Sequence, residues 1–356
     1  MHLENGTKPD SYKKYVAKKI GIIAGMFVFL VFFSFYAVSV GSVNIPFRDV
    51  ILTLLSGPGG TGLYDRVIWN IRVPQIITAI VAGTGLAIAG VVMQSVLRNP
   101  LASPYTLGLS SAAAFGAAVG ILIFGFGTTG SNMSDAVTVN NPYLVTIFAF
   151  IFSMLASLII LAIAKLRSTA PEVIILAGVA LNSLAVAGLA AIQFFVDEAR
   201  IAAIVFWQFG DVSRAGWSEI AIIGIVVAIC LLYFVWKRWD FNAMDAGDET
   251  AKSLGVHVTR LRLISMITAS LISAVVVSFL GIIGFIGLVT PHIMRRLIGD
   301  DQRYLIIGTA VCGALLLLMA DTVARTIIAP HVLPVAIVTA FLGAPIFLYL
   351  ILRGKR

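Results

Sequence analysis

The stretch LISMITASLISAVVVSFLGIIGFIGLVTPHIM, residues 263–294, contains no charged side chain. It is too long for one membrane-spanning helix, which needs about 20 residues, and too short for two complete ones. Gly281, Gly284 and Gly287 interrupt its second half. We therefore predict a full span over 263–280, a tight turn, and a short, broken helix over 281–294. Such irregular backbone is tolerated at membrane depth where it is buried in protein or lines a cavity.

Similar uncharged stretches recur along the chain, and the composition agrees with them. Of the 356 residues, 59% are apolar and 12% are charged, whereas soluble domains average roughly 45–50% apolar and about 25% charged residues. We predict an all-α polytopic membrane protein with about ten transmembrane helices. The spans are placed near 20–41, 73–97, 105–126, 143–164, 173–196, 217–236, 263–280, 281–294, 304–324 and 333–352.

The positions of the basic side chains predict the orientation. The 25 Lys and Arg residues fall mainly on alternate connections and at both termini, and cytoplasmic segments are the ones that accumulate positive charge. Both termini are therefore predicted to be cytoplasmic. The net charge of +8 is accordingly a topology signal, and we expect no nucleic-acid partner. The basic residues left on the outer side are Arg48, Arg66, Arg72, Arg200, Arg214 and Arg325.

This topology predicts a simple domain organisation. We expect a cytoplasmic basic N-terminus over 1–19, a single transmembrane domain over 20–352 and a cytoplasmic tail over 353–356. The transmembrane domain contains a cytoplasmic insertion over 237–262, and two outer connections, 43–66 and 127–142, are predicted to be loops, the first of them flexible. Cys230 and Cys312 lie in separate apolar runs, which indicates packing rather than a disulfide or a metal site.

Two cytoplasmic segments have distinctive patterns. Asn99-Pro100-Leu101-Ala102-Ser103-Pro104 contains two prolines four apart, which prevent a continuous helix. This turn is either a plain helix connection or a constriction at the inner mouth of a pathway. In the insertion, Asp248 and Glu249 precede Lys252 and Gly255, a pattern that suits the dipole and C-cap of a short helix. That helix is either simply solvated or a docking element for a partner.

Several side chains within or near the spans are predicted to be structural. Glycines 83, 85 and 90 indicate close helix packing. His292, beside the helix break, is predicted to make a hydrogen bond rather than ligate a metal or haem. Asp321 and Arg325 have the i, i+4 spacing of an ion pair. Arg72 begins a span at its outer end, where a guanidinium can either reach water or meet a partner carboxylate.

The motifs that are missing from the sequence restrict the function. No G-x-x-x-x-G-K-[ST] phosphate loop is present, so the chain is not expected to bind ATP in that way. A Gly-x-Ser-x-Gly elbow and a zinc-type His/Glu spacing are missing too, which argues against a membrane-embedded enzyme. The spans before Asp321 are nearly free of carboxylates, which disfavours an ion-coupled secondary transporter.

Taken together in order, seven stretches make the chain similar to a known family. They are Arg72-Val73-Pro74, Asn99-Pro100-Leu101-Ala102-x-Pro104, Leu176-Ala177-Gly178-Val179-Ala180-Leu181, Ser253-Leu254-Gly255-Val256, Gly284 to His292, Ala320-Asp321-x-x-Ala324-Arg325 and Gly343-Ala344-Pro345. The chain resembles the FecCD family, the membrane permeases of ABC importers for iron–siderophore complexes, haem and cobalamin, from the second span to the C-terminus.

The resemblance implies a non-enzymatic permease subunit that carries an iron(III)–siderophore complex across the cell membrane of a prokaryote. The implied partners are a second permease subunit, identical or paralogous, two ABC ATPase subunits, an extracytoplasmic substrate-binding protein, and membrane lipid. No cofactor is expected in this chain, because ATP and Mg2+ would bind the ATPases. A haem or cobalamin importer is the alternative, and an ion-coupled secondary transporter is a further one.

The resemblance also implies roles for particular residues, with no catalytic or metal-binding group among them. Arg72 and Arg325 match the arginines that pair with glutamates of the binding protein. A cytoplasmic gate is expected at Asn99, Leu101, Ser168, Thr169, Pro171 and Glu172. Coupling to the ATPase is expected at Asp248, Glu249, Ala251, Ser253, Leu254, Gly255 and Val256. The chain departs from the family at Gln75, where an Arg is frequent, and at Val332 and Ala336, where Glu and Gly are common.

Overall fold

A computed structural model describes residues 10–41, 44–60, 62–124, 142–167, 169–329 and 331–352. Its α-helices, in chain order, are α1 (Asp10–Ser39), α2 (Phe47–Ser56), α3 (Leu63–Val67), α4 (Val73–Val96), α5 (Leu109–Phe124), α6 (Pro142–Arg167), α7 (Pro171–Phe195), α8 (Glu198–Gln208), α9 (Trp217–Trp236), α10 (Arg238–Asp245), α11 (Asp248–Ser253), α12 (Val258–Leu280), α13 (Ile286–Ile298), α14 (Gln302–Thr326) and α15 (Val335–Leu352). A π-helical turn, Ile68–Arg72, joins α3 to α4, and a 3-10 turn, Val212–Arg214, precedes α9.

The predicted all-α polytopic architecture is confirmed. Among the described residues, 7 helices are long and apolar enough to cross a membrane. They are α1, α6, α7, α9, α12, α14 and the continuous helix that α3 and α4 form together. The apolar helices α5 and α15 are shorter, and α13 has 13 residues. Each of the ten predicted spans corresponds to one of these helices.

The stretch 263–294 folds as predicted, into a full helix followed by a short one. Helix α12 ends at Leu280, and α13 begins at Ile286 after a break. The break makes a bridge between Ile282 and Phe209, and the carbonyl of Leu280 accepts a hydrogen bond of 2.8 Å from Asp211 N. These backbone groups at the break are thus paired within the protein, as an apolar environment favours.

Helix α4 lies at the centre of the bundle and packs against α9, α12, α13 and α14. Its glycines make the close approaches possible, as predicted. A Cβ atom built on Gly90 would lie 1.8 Å from the carbonyl oxygen of Gly287, and one on Gly83 would lie 2.4 Å from that of Gly313. Backbones can approach this closely only where both sides lack a side chain.

The outer connection 43–66 differs from the prediction of a flexible loop, which was wrong. It contains α2 and α3, and 44–46, 57–60 and Gly62 are the described residues of this connection outside the two helices. Val50 and Thr53 of α2 are buried while Phe47 and Leu55 are exposed, so an amphipathic pattern in a short segment outweighed the nearby glycines and proline. The other predicted loop, 127–142, lies outside the described residues except for Pro142, the first residue of α6.

The Gly90–Gly287 contact provides a test of the packing. We expect Gly90→Ala to lower the free energy of unfolding by about 1–3 kcal/mol, because the added methyl group forces α4 and α13 apart. Thermal melting of the purified protein in detergent measures this.

Gly224→Ala on α9 is the matched control, because a Cβ there meets nothing within 4 Å. This control should melt at or above the temperature of the unchanged protein. Equal melting temperatures for the two variants would contradict the close crossing of α4 and α13.

Candidate functional site

Two arginines bind the C-terminal end of α1, which is predicted to lie at the outer surface. Arg72 Nη1 donates to the carbonyls of Val38 and Ser39, and Arg325 Nη1 donates to the carbonyl of Val40 at 3.2 Å. The last carbonyls of a helix lack intrahelical partners and form the negative end of its dipole. The two guanidinium groups satisfy both the hydrogen bonds and the charge, and their residues are only 4% and 6% exposed.

Arg325 also forms the predicted ion pair with Asp321. The distance from Arg325 Nε to Asp321 Oδ2 is 2.9 Å, and Gln75 Nε2 donates to the other carboxylate oxygen at 2.9 Å. Gln75 therefore serves as a neutral partner of a buried carboxylate. Removing one partner from such a buried pair typically costs about 3–5 kcal/mol.

The two arginines line one cavity of about 460 Å3, together with Gln75, Asp211 and Arg214. Arg214 caps another helix end, because it donates to the carbonyls of Trp207 at 3.0 Å and of Phe209 at 2.7 Å beyond α8. Both residues predicted for docking are thus brought together at one cavity. The sequence analysis did not predict Arg214 as a cavity residue. The only indication in the sequence was that Arg214 is one of the basic residues on the outer side.

The first predicted gate segment is a rigid turn after α4. Arg98 adopts a left-handed conformation with φ 46°, and its N–H and that of Asn99 bond back to the carbonyls of Ser95 and Gln94, both at 3.1 Å. This is a Schellman motif. Asn99 Oδ1 then accepts from Leu101 N at 2.8 Å, and Leu101 is 49% exposed.

His292 holds the same turn from the side of α13. Its Nε2 lies 2.8 Å from the carbonyl oxygen of Pro100, and because a carbonyl can only accept, the histidine donates. The predicted hydrogen bond of His292 is confirmed.

The second predicted gate segment lies between α6 and α7. Ser168 is outside the described residues. The carbonyl of Thr169 accepts a hydrogen bond of 2.8 Å from Arg262 Nη1. Pro171 is the first residue of α7, and Glu172 is exposed in its first turn.

The insertion 237–262 contains the short helix α11, close to the predicted form. Asp248 is its first residue, and Lys252 Nζ lies 2.8 Å from Glu249 Oε1; this hydrogen bond is the largest cause of a raised pKa for Lys252. Gly255 ends the helix with φ 84°, in a second Schellman motif that includes a bond of 3.0 Å from Val256 N to the carbonyl of Ala251. Ser253 is exposed on this helix.

Ala251 of this helix and Leu254, the residue that follows the helix, differ in exposure. Leu254 is 68% exposed, whereas Ala251 is fully buried. An exposed apolar side chain on a short, capped helix can fill a groove in a partner protein, while the buried alanine seats the helix on the bundle.

Helix α10 is fixed to the bundle by its polar side chains. Asp245 accepts hydrogen bonds from Ser95 Oγ at 2.7 Å and Gln302 Nε2 at 2.8 Å. Burial nevertheless raises the pKa of this carboxyl.

Asp301, at the start of α14, is also partly buried, but hydrogen bonds from Arg303 and Asn242 outweigh the desolvation and lower its pKa to about 2.

Arg262 connects these cytoplasmic features, and sequence reasoning counted it only as a topology charge. It bonds to the carbonyls of Val96 and Thr169 and to the carboxylate of Asp248. No sequence pattern could have indicated this role, because two of its three partners are main-chain carbonyls.

The outer cavity and the inner turns lie at opposite ends of one helix. Arg72 immediately precedes α4, and Val96, which contacts Arg262, is its last residue. A helix of 24 residues is about 36 Å long, enough to cross the hydrocarbon core of a membrane. Among the described residues, no group of three or more His, Cys, Asp or Glu side chains is placed to hold a metal ion. The fold and its polar features therefore define a multi-pass membrane protein with a specialised surface at each end.

Comparison with known proteins identifies the class. The FecCD transport family matches residues 28–353. A Methanocaldococcus jannaschii protein named as an ABC transporter permease is 53% identical over 347 residues, 97% of this chain and 98% of that protein. The hemin transport system permease protein HmuU of Yersinia pestis is 34% identical over 337 residues, 93% of this chain and 95% of that protein.

A solved structure supports the same conclusion. It shows an inward-facing conformation of a transporter assigned to the metal-chelate type of ABC transporter, and it matches with a TM-score of 0.79 and 27% identity over 94% of this chain and 99% of that one. The chain belongs to the FecCD transport family. It is an ABC importer permease, and the resemblance inferred from its motifs is confirmed.

Proposed function

We propose that this permease, paired with a second copy or a paralogue, forms the translocation pathway for an iron(III)–siderophore complex. An extracytoplasmic binding protein delivers the complex to the outer end, and two separate ATPase subunits bind the cytoplasmic end. The proposed location is the cell membrane of a prokaryote. The observation that carries the proposal is that an arginine-lined cavity and an exposed, capped helix lie at opposite ends of α4.

The outer cavity suits a carboxylate from a docked protein. Arg72 and Arg325 both face it, and their charges are held in place by the carbonyls of α1. Guanidinium groups fixed in this way lose little conformational freedom when they bind a carboxylate. We therefore assign to these two residues the pairing with glutamates of the binding protein.

The cytoplasmic end suits an ATPase partner and a gate. Glu249, Ser253 and Leu254 are exposed at α11, Asp248 joins the start of this helix to Arg262, and Gly255 and Val256 form its cap. The segment from Asn99 to Leu101 and the segment from Thr169 to Glu172 provide the two sides of the gate. We propose that ATP-driven closure of the ATPases moves α11 and opens this gate, so the chain itself supplies no chemistry.

The described surface of α7 suits a second subunit and the pathway between the two. This helix follows the second gate segment, and Leu176, Leu184 and the small residue Ser183 are exposed on it. A bulky chelate that moves between two such apolar walls meets weak, distributed contacts and is not trapped.

The relatives support an iron chelate as the substrate and leave haem as a second candidate. Two Bacillus subtilis relatives are named for import of Fe(3+)-citrate and of iron(3+)-hydroxamate, whereas the Yersinia pestis relative is named for hemin. The structural neighbour is assigned to the metal-chelate type. Cobalamin is the third candidate, because the same family is known to include cobalamin importers.

Uptake into lipid vesicles tests the proposal. With the permease, both ATPases and the binding protein present, we expect ATP to drive accumulation of a ferric siderophore, with hemin and cobalamin taken up more slowly. Faster uptake of hemin or of cobalamin would replace the siderophore by that substrate. Uptake by the permease alone, driven by an ion gradient, would contradict the importer itself.

Substitution of Arg72 tests docking. We expect Arg72→Gln to weaken binding of the extracytoplasmic protein to the complex by about tenfold, equivalent to ~1.4 kcal/mol, because one charged contact with a carboxylate is lost. Surface-plasmon resonance against the immobilised complex measures this affinity.

The control is Arg200→Gln, which removes a partly exposed arginine of α8 whose Nε lies 3.6 Å from Asp197. It should bind with unchanged affinity. Melting curves separate lost docking from a loosened α1, because Arg72 also caps that helix. Unchanged affinity for a folded Arg72→Gln protein would remove the docking assignment.

A further inference from the structure

Arg262 lies one turn into α12 and is 1% exposed. Its guanidinium contacts three separate segments. Nε donates to the carbonyl of Val96 at 2.7 Å, Nη1 donates to that of Thr169 at 2.8 Å, and Nη2 lies 2.9 Å from both carboxylate oxygens of Asp248. A guanidinium is planar, and its donors point in fixed directions. The three segments therefore hold fixed positions relative to one another.

The first contact is made at the base of the turn 97–104. The Schellman motif at the end of α4 pairs the carbonyls of Gln94 and Ser95 and leaves the next one, that of Val96, for another donor. Arg262 provides this donor. The turn that carries Asn99 and Leu101 thus begins directly at a residue held by Arg262.

The second contact is made at the other gate segment. Thr169 is two residues before the start of α7 at Pro171. Because Val96 and Thr169 bond to different nitrogens of one guanidinium, both gate segments are tied to one side chain on α12.

The third contact is made to α11, whose first residue is Asp248. The side chain of Asp248 is 30% exposed, whereas that of Arg262 is 2% exposed, so the contact joins the surface helix to the bundle interior. An ion pair with one partner this deeply buried resists separation, because a lone buried charge is strongly unfavourable.

We infer that Arg262 is a positioning residue through which movement of α11 is transmitted to both gate segments. This inference rests on the proposed ATPase-driven function. A displacement of α11 must either leave Arg262 without its counter-ion or carry the guanidinium and its two carbonyl partners along. The second response costs less, since every hydrogen bond is kept. The side chain therefore acts as a rigid link between ATPase docking and gate opening.

A purely structural role for Arg262 makes a different prediction. If Arg262 only caps α4, then Asp248→Asn leaves the contacts of Arg262 with the carbonyls of Val96 and Thr169 in place. Transport then stays proportional to the amount of folded complex. If it links α11 to the gate, then Asp248→Asn and Arg262→Lys weaken the same link from its two sides. Lysine keeps the charge but has a single nitrogen, which cannot contact all three segments in the same geometry.

The test uses the full complex with its ATPases and binding protein in lipid vesicles. The measured quantity is substrate taken up per ATP hydrolysed. We expect this ratio to fall by about tenfold in Asp248→Asn and in Arg262→Lys, a size common for coupling between two sites. The double variant should be no worse than the more affected single variant, because both changes break one link.

Arg260→Gln is the matched control, because Arg260 is exposed on the same helix two residues earlier, and its ratio should be unchanged. An unchanged ratio in both folded single variants, or a double variant whose losses multiply, would overturn the role of Arg262. If the unaltered chain fails to co-purify with its ATPases or to transport with ATP, the proposed function and this inference both fail.

Discussion

A helix that ends inside a membrane protein leaves carbonyl groups that water cannot reach, and each of them must find a donor. In this permease arginine provides that donor repeatedly. Arg72 and Arg325 bond to the end of α1, Arg214 bonds to the end of α8, and Arg262 bonds to the end of α4. These positive charges, of which Arg72, Arg325 and Arg262 are buried, are therefore fixed by main-chain geometry.

This constraint places charge at the ends of the spans, where the partner proteins are proposed to bind. At the outer end it gives a cavity with several guanidinium groups around it. At the inner end one guanidinium joins two turns and a surface helix. The middle of α4 between these ends is lined by small and apolar residues, with Gly83 and Gly90 in contact with neighbouring backbones. The bundle is thus tightly packed at its centre and polar where partner proteins are proposed to bind.

Much of the fold could be predicted from the sequence, because long apolar runs and the positions of lysine and arginine report directly on lipid contact. The break after Leu280 was predictable from its glycines, and the cap of α11 from Gly255. The helix α2 was not predictable, because its amphipathic pattern covers fewer than three turns and stands beside Gly57 and Pro58.

The candidate site was predictable only in part. Charged residues in family motifs, such as Arg72 and Arg325, could be singled out as candidates from their neighbours along the chain. The role of Arg262 depends on main-chain carbonyls of residues that are distant in sequence. Because any residue type can provide a carbonyl, the sequence does not indicate these contacts. The capping of α1 by two arginines could not be predicted from the sequence for the same reason.

The central claim is that α11 and the gate turn after α4 move together. The most direct measurement is the distance between spin labels on Lys252 and Tyr105, taken in the complete importer with and without bound ATP. The account predicts that this distance stays constant between the two states, while the distance from Tyr105 to its counterpart in the second subunit changes. A change of several ångströms between Lys252 and Tyr105, with the gate distance unaltered, would contradict it.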